Sequence, residues 1–323
     1  MLQELRKVVY GMKSFDIFCV AEVAVDHIAD ANEITDNASS TLLHSVKRYY
    51  GGMGGNFSAV ASIFNTKIGI LAAIGENDPD SNDYKKYLEG KKINTDYLLQ
   101  TEWSSISKCF IFNEKEKQRL FFYPGTSAHE IEKYMEHAKK LVSEVNSKAL
   151  YVAFTDFELN KFYLEKYNAK IKSYAPAHNT HRHSKKDFSG CLEFTDILFV
   201  NENEAKIMEK TMDMGIFQIA KDFDIEVIAR TMGRDGSEII IDGSPFAIPP
   251  CKARRMRDPS GAGDAFAGAF MANYIKTDDA VLSAKIASAT ASFIVEEIGC
   301  QTGIPNIEAI ENRVRDNYGK LPE

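Results

Sequence analysis

Two aspartates bracket a Gly-Ala-Gly sequence in the stretch DPSGAGDAFAGAFMANYI, residues 258–275. From Gly263 onward the residue types favour a helix, so Gly261, Ala262 and Gly263 lie where a loop becomes a helix N-terminus. The backbone N–H groups at such an end have no partner within the helix, and they carry about half a unit of positive charge. Glycine allows positive φ and brings these amides close to a ligand. The stretch therefore predicts a cradle for a phosphate group.

Asp264 follows this cradle directly, although a carboxylate repels a bound phosphate. The placement makes chemical sense if the carboxylate accepts a proton from a hydroxyl group that then attacks the phosphorus. We expect the helix dipole to keep Asp264 ionised for that task. The alternative is a helix start capped by Asp258 or Ser260, with Asp264 as a favourable acidic residue in the first turn. Capping accounts for one aspartate but not for the two glycines, so a general base is the stronger interpretation.

A second glycine cluster, GGMGGN at residues 51–56, precedes a segment with helical spacing. It is not a dinucleotide-binding fingerprint, because Phe57 stands where that pattern requires glycine. The Gly-Lys-Ser/Thr sequence of a P-loop is absent from the chain as well. Glycines that allow close backbone approach, followed by the Asn56 amide, suit a ligand rich in hydroxyl groups. A tight turn explains the same residues equally well.

Short apolar runs alternate with segments of helical spacing along the chain. Continuous apolar strands joined by helices predict a parallel sheet covered on both faces, which is a doubly wound α/β sandwich. The predicted strands cover residues 15–23, 67–75, 149–154, 196–201 and 225–230, and the predicted helices include 56–64, 130–145 and 203–212.

Two regions, residues 41–50 and 104–125, break this alternation, because they contain β-rich runs without a helix between them. We interpret them as a small antiparallel β lid inserted into a single domain that spans residues 1–323. A β-meander packed on the main sheet is the alternative. An uncovered sheet edge favours pairing with another chain, so a homodimer through the lid is a further hypothesis.

The composition is that of an ordinary globular protein, with 44% hydrophobic and 26% charged residues. A net charge of −7 argues against a nucleic-acid partner, since contact with a phosphate backbone requires a broad basic face. No run approaches the ~18 apolar residues of a membrane span, and the N-terminal residues lack the apolar core of a signal peptide. The five cysteines are dispersed, which favours buried thiols in a reducing compartment. We therefore expect a soluble cytoplasmic protein.

Together, DPSGAGD and GGMGGN resemble the two signatures of the PfkB/ribokinase family of carbohydrate and nucleoside kinases. Three intervening segments resemble the family in the same order, namely IGEND at 74–78, NENE at 201–204 and TMGRDG at 231–236. The resemblance covers nearly the whole chain. It implies a ribokinase-like fold and an ATP-dependent phosphotransferase with an alcohol group as acceptor.

The resemblance also implies roles for the matched residues. Asp264 would be the general base, and the amides of residues 261–263 would stabilise charge on the transferred phosphoryl group. Asn201 and Glu204 would organise Mg²⁺ through water, in keeping with a hard cation that retains its hydration. The other implied contacts are Thr231, Gly233 and Gly236 beside ATP, and Asp26, Gly52 and Asn56 on the acceptor's hydroxyl groups.

The acceptor is less well defined. Residues 108–125 resemble the lid hairpin of the adenosine and nucleoside kinase branch. Its aromatic side chains, Phe112 and Phe122 among them, would stack on a purine or pyrimidine base. Packing between lid strands or across a dimer is the alternative for each aromatic residue.

The loop at residues 175–186 follows a strand, on the rim where a doubly wound fold binds its ligand. His178 and Asn179 would hydrogen-bond a base or ribose there, and Arg182 corresponds loosely to an arginine that contacts phosphate in some relatives. The histidine spacing in this loop does not define a zinc site, because no cysteine or carboxylate completes the geometry.

The sequence thus predicts a kinase that uses ATP and Mg²⁺ to phosphorylate the 5′-hydroxyl of an adenosine-like nucleoside. A free-sugar kinase acting on ribose, a ketohexose or a ketodeoxy sugar acid is one alternative. A non-catalytic member that binds nucleotide or sugar is another, although such a member is expected to have lost the base or the glycines. The sequence leaves open whether a monovalent cation is required.

Overall fold

The computed structural model of the protein describes residues 13–31, 40–101, 105–114, 117–125 and 131–319. Its strands are, in chain order, β1 (Lys13–Ala21), β2 (Ala24–Ala31), β3 (Leu43–Gly51), β4 (Ile68–Leu71), β5 (Ala73–Gly75), β6 (Leu99–Thr101), β7 (Ser107–Glu114), β8 (Lys117–Tyr123), β9 (Val145–Ala153), β10 (Ala169–Tyr174), β11 (Ile197–Asn201), β12 (Val227–Thr231), β13 (Ser237–Ile241) and β14 (Ser244–Ile248). Its α-helices are α1 (Met53–Ser62), α2 (Pro79–Gly90), α3 (Ile131–Leu141), α4 (Phe157–Lys166), α5 (Lys185–Leu192), α6 (Glu202–Met212), α7 (Ile216–Asp222), α8 (Ala262–Thr277), α9 (Ala280–Ile294) and α10 (Ile307–Tyr318).

The central sheet has eight strands in the order β14-β13-β12-β11-β10-β9-β1-β4. The strands from β4 to β12 are parallel to one another, and β13 and β14 continue the sheet as antiparallel neighbours. Helices cover both faces, so the predicted doubly wound sandwich is confirmed. One face packs against α1, α2, α8, α9 and α10, and the other packs against helices α3 to α7.

Strand β1 shows why the core strands read as continuous apolar runs. Residues 17–21 are all completely buried. Alternate side chains enter opposite layers, since Ile17 and Cys19 belong to one apolar core and Phe18 and Val20 to the other. A parallel strand that is covered on both faces has no position for a polar side chain.

Two predicted elements have different bounds in the structure. The run 67–75 divides into β4 and β5, which belong to different sheets. The described part of predicted helix 130–145 is helical only as far as Leu141, because Val145 already begins β9.

A four-stranded sheet of order β3-β2-β7-β8 forms the lid. The predicted hairpin within residues 104–125 is present as the antiparallel pair β7–β8. The predicted run 41–50 forms β3, which pairs with β2, and a parallel pair, β2–β7, joins the two. Strand β2 was missed in the sequence because only two residues separate it from β1 and it carries two aspartates. Ser104 and the hairpin residues 115–116 of the predicted lid lie outside the described residues. Within the described chain, no helix is long and apolar enough to cross a lipid bilayer.

Candidate active site

The loop before α8 has the geometry that a phosphate cradle requires. Gly261 is the residue before the helix, its φ is 75°, and no side chain caps this end of the helix. A Cβ at residue 261 would lie 2.6 Å from the Cβ of Cys300, whereas a Cβ at Gly263 would meet no atom within 4 Å. Gly261 is therefore required by the backbone, and Gly263 leaves open space beside the amides of the first turn. This end of α8 is free to receive an anion.

Asp258 holds the loop in place but does not cap α8. Its Oδ1 accepts a hydrogen bond from the backbone N–H of Ser260 at 2.9 Å, and its Oδ2 accepts one from that of Gly299 at 3.0 Å. The capping alternative for Asp258 and Ser260 therefore fails, because the residue at the cap position is Gly261.

Asp264, in the first turn of α8, lines a narrow cavity of about 80 Å³ together with Gly263, Asn201 and Glu204. Its pKa is raised from 3.8 to about 7, because burial and the charge of Glu204 together outweigh a hydrogen bond from Asn56 that lowers it. Desolvation of the carboxylate thus outweighs the favourable position beside the helix N-terminus. A carboxyl group that titrates near neutral pH is suited to accept a proton during catalysis.

Asn56 contacts this carboxylate directly. Its Nδ2 donates to Oδ2 of Asp264 at 2.8 Å, and the Asn56 side chain is only 3% exposed. The structure thus uses the amide to hold the base, where the sequence led us to expect a contact with the acceptor's hydroxyl groups. Gly52 precedes α1 at φ 80°, and a Cβ there would lie 2.5 Å from the backbone nitrogen of Ala24, so only glycine fits at this position. The two glycine clusters meet at one point through Asn56 and Asp264.

Asp26 lies in strand β2 of the lid rather than in a turn. Its carboxyl group is 6% exposed and accepts a hydrogen bond from the thiol of Cys300 at 3.7 Å. Burial raises the pKa of Asp26 to about 7, and the charges of Asp258 and Asp264 add to the increase. A Cβ at Gly51 would lie 2.2 Å from the Asp26 carboxylate, so bare backbone packs against this group. The fold brings Asp26 into the same cluster of acidic groups as Asp264.

Asn201 and Glu204 cap the N-terminus of α6. The Oδ1 of Asn201 accepts from the backbone N–H of Glu204 at 2.9 Å, and Oε2 of Glu204 accepts from that of Asn201 at 2.8 Å. Burial raises the pKa of Glu204. Both residues line the cavity that contains Asp264, and Oε1 of Glu204 takes no part in the capping. Carboxylate and amide oxygens at this position fit a hydrated Mg²⁺ ion.

A larger cavity of about 660 Å³ adjoins the first one, and Thr231, Gly263 and Phe266 line both. Its wall includes two further residues predicted to border ATP, Gly233 and Gly236. The basic side chains of Arg234, Lys252 and Arg255 also line it. The volume and the positive rim suit a nucleoside triphosphate whose terminal phosphate reaches the cradle.

Of the three residues predicted to bind a ligand in the loop after β10, only Arg182 has a described side chain. Arg182 is exposed at the end of a 3₁₀ helix, Ala177–Arg182, and lines neither of these cavities. The side chains of His178 and Asn179 lie outside the described residues, so their predicted contacts with a base or ribose stay predictions.

The lid presents one of its two predicted aromatic residues to the acceptor side. Asp26 pairs with Cys109, and Cys109 pairs with Phe122, so these three side chains share one face of the sheet. Phe122 is 38% exposed on that face. Phe112 points to the opposite face, where its ring centroid lies 6.0 Å from that of Phe121. The strand alternation turns Phe112 away from Asp26, and its contact with substrate stays a prediction.

Two buried polar residues near the base, Tyr84 and Gln301, were missed in the sequence. Tyr84 lies in α2, and Gln301 lies in the turn between α9 and α10. Gln301 donates hydrogen bonds both to Asn56 and to Tyr84. The sequence holds no pattern that links either residue to the site, and only their buried hydrogen bonds show the connection.

The model of the pfkB family of carbohydrate kinases matches residues 14–307 of the chain. The chain is 28% identical over 306 residues to a nucleoside kinase of Methanocaldococcus jannaschii, covering 94% of this chain and 98% of that protein. The crystal structure of M. jannaschii nucleoside kinase, an archaeal member of the ribokinase family, superposes with a TM-score of 0.83 at 27% identity, covering 95% of this chain and 99% of that one. A nucleoside kinase of Burkholderia thailandensis in complex with inosine gives a TM-score of 0.82 at 19% identity, covering 95% and 99% of the two chains. The predicted ribokinase-like fold is confirmed by these likenesses.

Proposed function

The chain belongs to the pfkB family of carbohydrate kinases, and we propose that within this family it is a nucleoside kinase that uses ATP. The observation that carries the proposal is the position of Asp264, which lies beside an uncapped helix N-terminus and lines a cavity that adjoins a second, larger one. The similarity to an archaeal nucleoside kinase over almost the full length of both proteins supports the acceptor class.

In the proposed reaction, Asp264 accepts the proton of the nucleoside's 5′-hydroxyl as the oxygen attacks the γ-phosphorus of ATP in line. The O–H bond breaks, the new O–P bond forms, and ADP leaves with the electrons of the broken P–O bond. Backbone amides of residues 261–263 stabilise the charge on the transferred group. Asn201 and Glu204 would hold Mg²⁺ through water, and the ion would neutralise charge on the phosphates.

The face of the lid that carries Asp26 and Phe122, called here its inner face, favours a nucleoside over a free sugar as the acceptor. In addition to Phe122, it carries Ile28 and Ile111, which are buried, and Leu120, which is 55% exposed. An apolar face of this kind can cover a base, whereas a free sugar offers only hydroxyl groups that need polar partners. A free-sugar kinase stays the alternative within the family.

A panel of nucleosides and free sugars with ATP and Mg²⁺, read as ADP release, tests the proposal. We expect adenosine-like nucleosides to be phosphorylated at the highest kcat/KM. Faster phosphorylation of ribose than of every nucleoside would reject the proposed acceptor. Absence of turnover with every acceptor, together with measurable ATP binding, would favour a non-catalytic binding protein.

We further propose that two copies associate through the lid. Strand β8 is an edge strand of the lid sheet, and Phe121 on this strand is 58% exposed. Exposed apolar groups on an uncovered edge favour pairing with a second chain. Light scattering on the purified protein tests this, and a monomer at micromolar concentration would contradict it.

A cytoplasmic location is also proposed. All five cysteines are free thiols, which is in keeping with a reducing compartment. Cell fractionation would test the location.

A further inference from the structure

A chain of buried polar groups lies behind the general base. The Nε2 of Gln301 donates to Oδ1 of Asn56 at 2.9 Å and to the hydroxyl of Tyr84 at 2.7 Å. The Tyr84 hydroxyl donates to the backbone carbonyl of Gly51 at 2.6 Å. Tyr84, Gln301 and Asn56 are 1%, 7% and 3% exposed. We call these three side chains the relay.

The donors and acceptors of the relay can be assigned in only one way. A carbonyl oxygen can only accept, so the Gly51 carbonyl obliges the Tyr84 hydroxyl to donate to it. That hydroxyl must then accept from Gln301, which turns the –NH₂ group of Gln301 toward both of its partners. Because Gln301 donates to Asn56, the oxygen of the Asn56 amide faces Gln301 and its –NH₂ group faces Asp264.

The orientation of Asn56 matters because its amide has two chemically opposite ends. The –NH₂ end stabilises an ionised carboxylate at 2.8 Å, whereas the oxygen end would repel it. An ionised Asp264 by itself favours the –NH₂ end, whereas a protonated carboxyl group could donate to the oxygen end. The relay holds the –NH₂ end toward Asp264 in both states.

The surrounding structure holds Tyr84 rigidly. Its ring stacks on that of Tyr50 with a centroid distance of 4.5 Å. A Cβ at Gly55 would lie 1.8 Å from the Tyr84 hydroxyl oxygen, so only glycine leaves room for this hydroxyl. The close contact with the Tyr84 hydroxyl therefore explains why this position of the GGMGGN cluster is glycine.

We propose that Tyr84 and Gln301 are positioning residues that orient the Asn56 amide toward the general base. This inference rests on the proposed role of Asp264 in the kinase reaction. Neither side chain needs to touch a substrate, because each acts through Asn56.

The first test is Tyr84→Phe, which removes one hydroxyl and keeps the ring. Without its acceptor, the –NH₂ group of Gln301 is no longer held in one direction, and the Asn56 amide can turn over. We expect kcat to fall about threefold to tenfold, which corresponds to the free energy of one hydrogen bond. The KM values for nucleoside and ATP should change by less than about twofold, because no substrate contact is lost.

Tyr87→Phe is the matched control. Tyr87 lies on the same helix and stacks on Tyr50 from 4.4 Å, but its hydroxyl is not part of the relay. It should retain wild-type kcat. Equal kinetics of the Tyr84 and Tyr87 variants would overturn the proposal.

Gln301→Glu provides a second test, because a carboxylate can only accept hydrogen bonds. It would draw the –NH₂ group of Asn56 toward itself and present the amide oxygen to Asp264. We expect a larger fall in kcat, about tenfold or more, again with little change in KM. If this variant does not fold, Tyr84→Phe alone decides the matter, since removal of one hydroxyl is a mild change.

Coupling to Asn56 distinguishes a positioning role from a structural one. In an Asn56→Ala background, each relay substitution should change kcat by less than about twofold, since the group through which it acts is absent. A loss of the same size in both backgrounds would show that the residues act through general stability, and it would overturn the proposal.

Failure of this inference and failure of the proposed function give different results. If the wild type is active, Asp264→Asn is inactive and Tyr84→Phe retains full kcat, only the relay is wrong. If the wild type phosphorylates no acceptor, both proposals fall together.

Discussion

Replacing Asp264 by asparagine should stabilise the protein while greatly slowing turnover. Burial raises the pKa of Asp264 from 3.8 to about 7. Each pKa unit corresponds to about 1.4 kcal/mol, so the ionised carboxylate costs about 4 kcal/mol at pH 8. The side chain is partly exposed to the cavity, and solvent there reduces the expected figure to about 2 to 4 kcal/mol.

The sign follows from the direction of the shift. Because the pKa is raised by folding, the stability that Asp264 contributes is fully present below pH 3.8 and is lost as the pH rises toward 7. Asparagine cannot ionise and avoids this loss. For a chain of 323 residues the entropy of unfolding is about 0.7 kcal/mol per kelvin, so the variant should melt about 3 to 6 °C above the wild type at pH 8. At pH 5 the difference should shrink by more than half.

Scanning calorimetry at pH 5 and pH 8 measures this effect, and steady-state kinetics at pH 8 measure the catalytic one. We expect kcat to fall by about 10² to 10⁴, the usual contribution of a general base, with smaller changes in KM. Asp279→Asn is the matched control, because this aspartate caps α9 and asparagine caps a helix equally well. It should leave kcat unchanged. A variant of Asp264 that retains more than about a tenth of wild-type kcat, or that melts lower at pH 8, would refute the reasoning.

Three other outcomes are expected. The kcat/KM of the wild type should fall about tenfold from pH 8 to pH 6, as Asp264 takes up a proton with a pKa of about 7; a flat profile would exclude this base. Gly263→Ala should lower kcat at unchanged melting temperature because its methyl group enters the open space of the cradle, whereas Gly261→Ala should lower the melting temperature because φ there is 75°. Phe122→Ala should raise the KM for a nucleoside about tenfold or more and Phe112→Ala should not, since only Phe122 shares a face with Asp26; equal effects would contradict the assignment of faces.

Much of the fold could be predicted because its signals are local. A strand segment that is buried on both faces must be apolar, so residues 17–21 of β1 and 197–200 of β11 are visible as uninterrupted runs. The phosphate cradle could be predicted for a similar reason, since positive φ and bare amides require glycine at residue 261. Strand β2 escaped prediction because its aspartates break the apolar pattern. Its place is decided by pairing with β3 and β7, which are distant in the chain.

Which lid residues face the acceptor could be decided only from the tertiary structure. Alternation along β7 and β8 predicts that the aromatic residues divide between two faces, but not which face covers the site. The sheet register decides this, and it separates Phe122 from Phe112.

The sequence determined where the base lies, whereas the tertiary structure determined its pKa and its contacts. Residue types and spacing determined that Asp264 follows an anion-binding helix end, because helix geometry within a few residues is a local property. Its pKa was not determined in this way, since desolvation and the charge of Glu204 arise from segments far apart in the chain. The same holds for the contact with Asn56, which is separated from Asp264 by 208 positions. Burial and long-range hydrogen bonds exist only once the chain has folded, and therefore only the tertiary structure could decide how this carboxyl group is held and when it ionises.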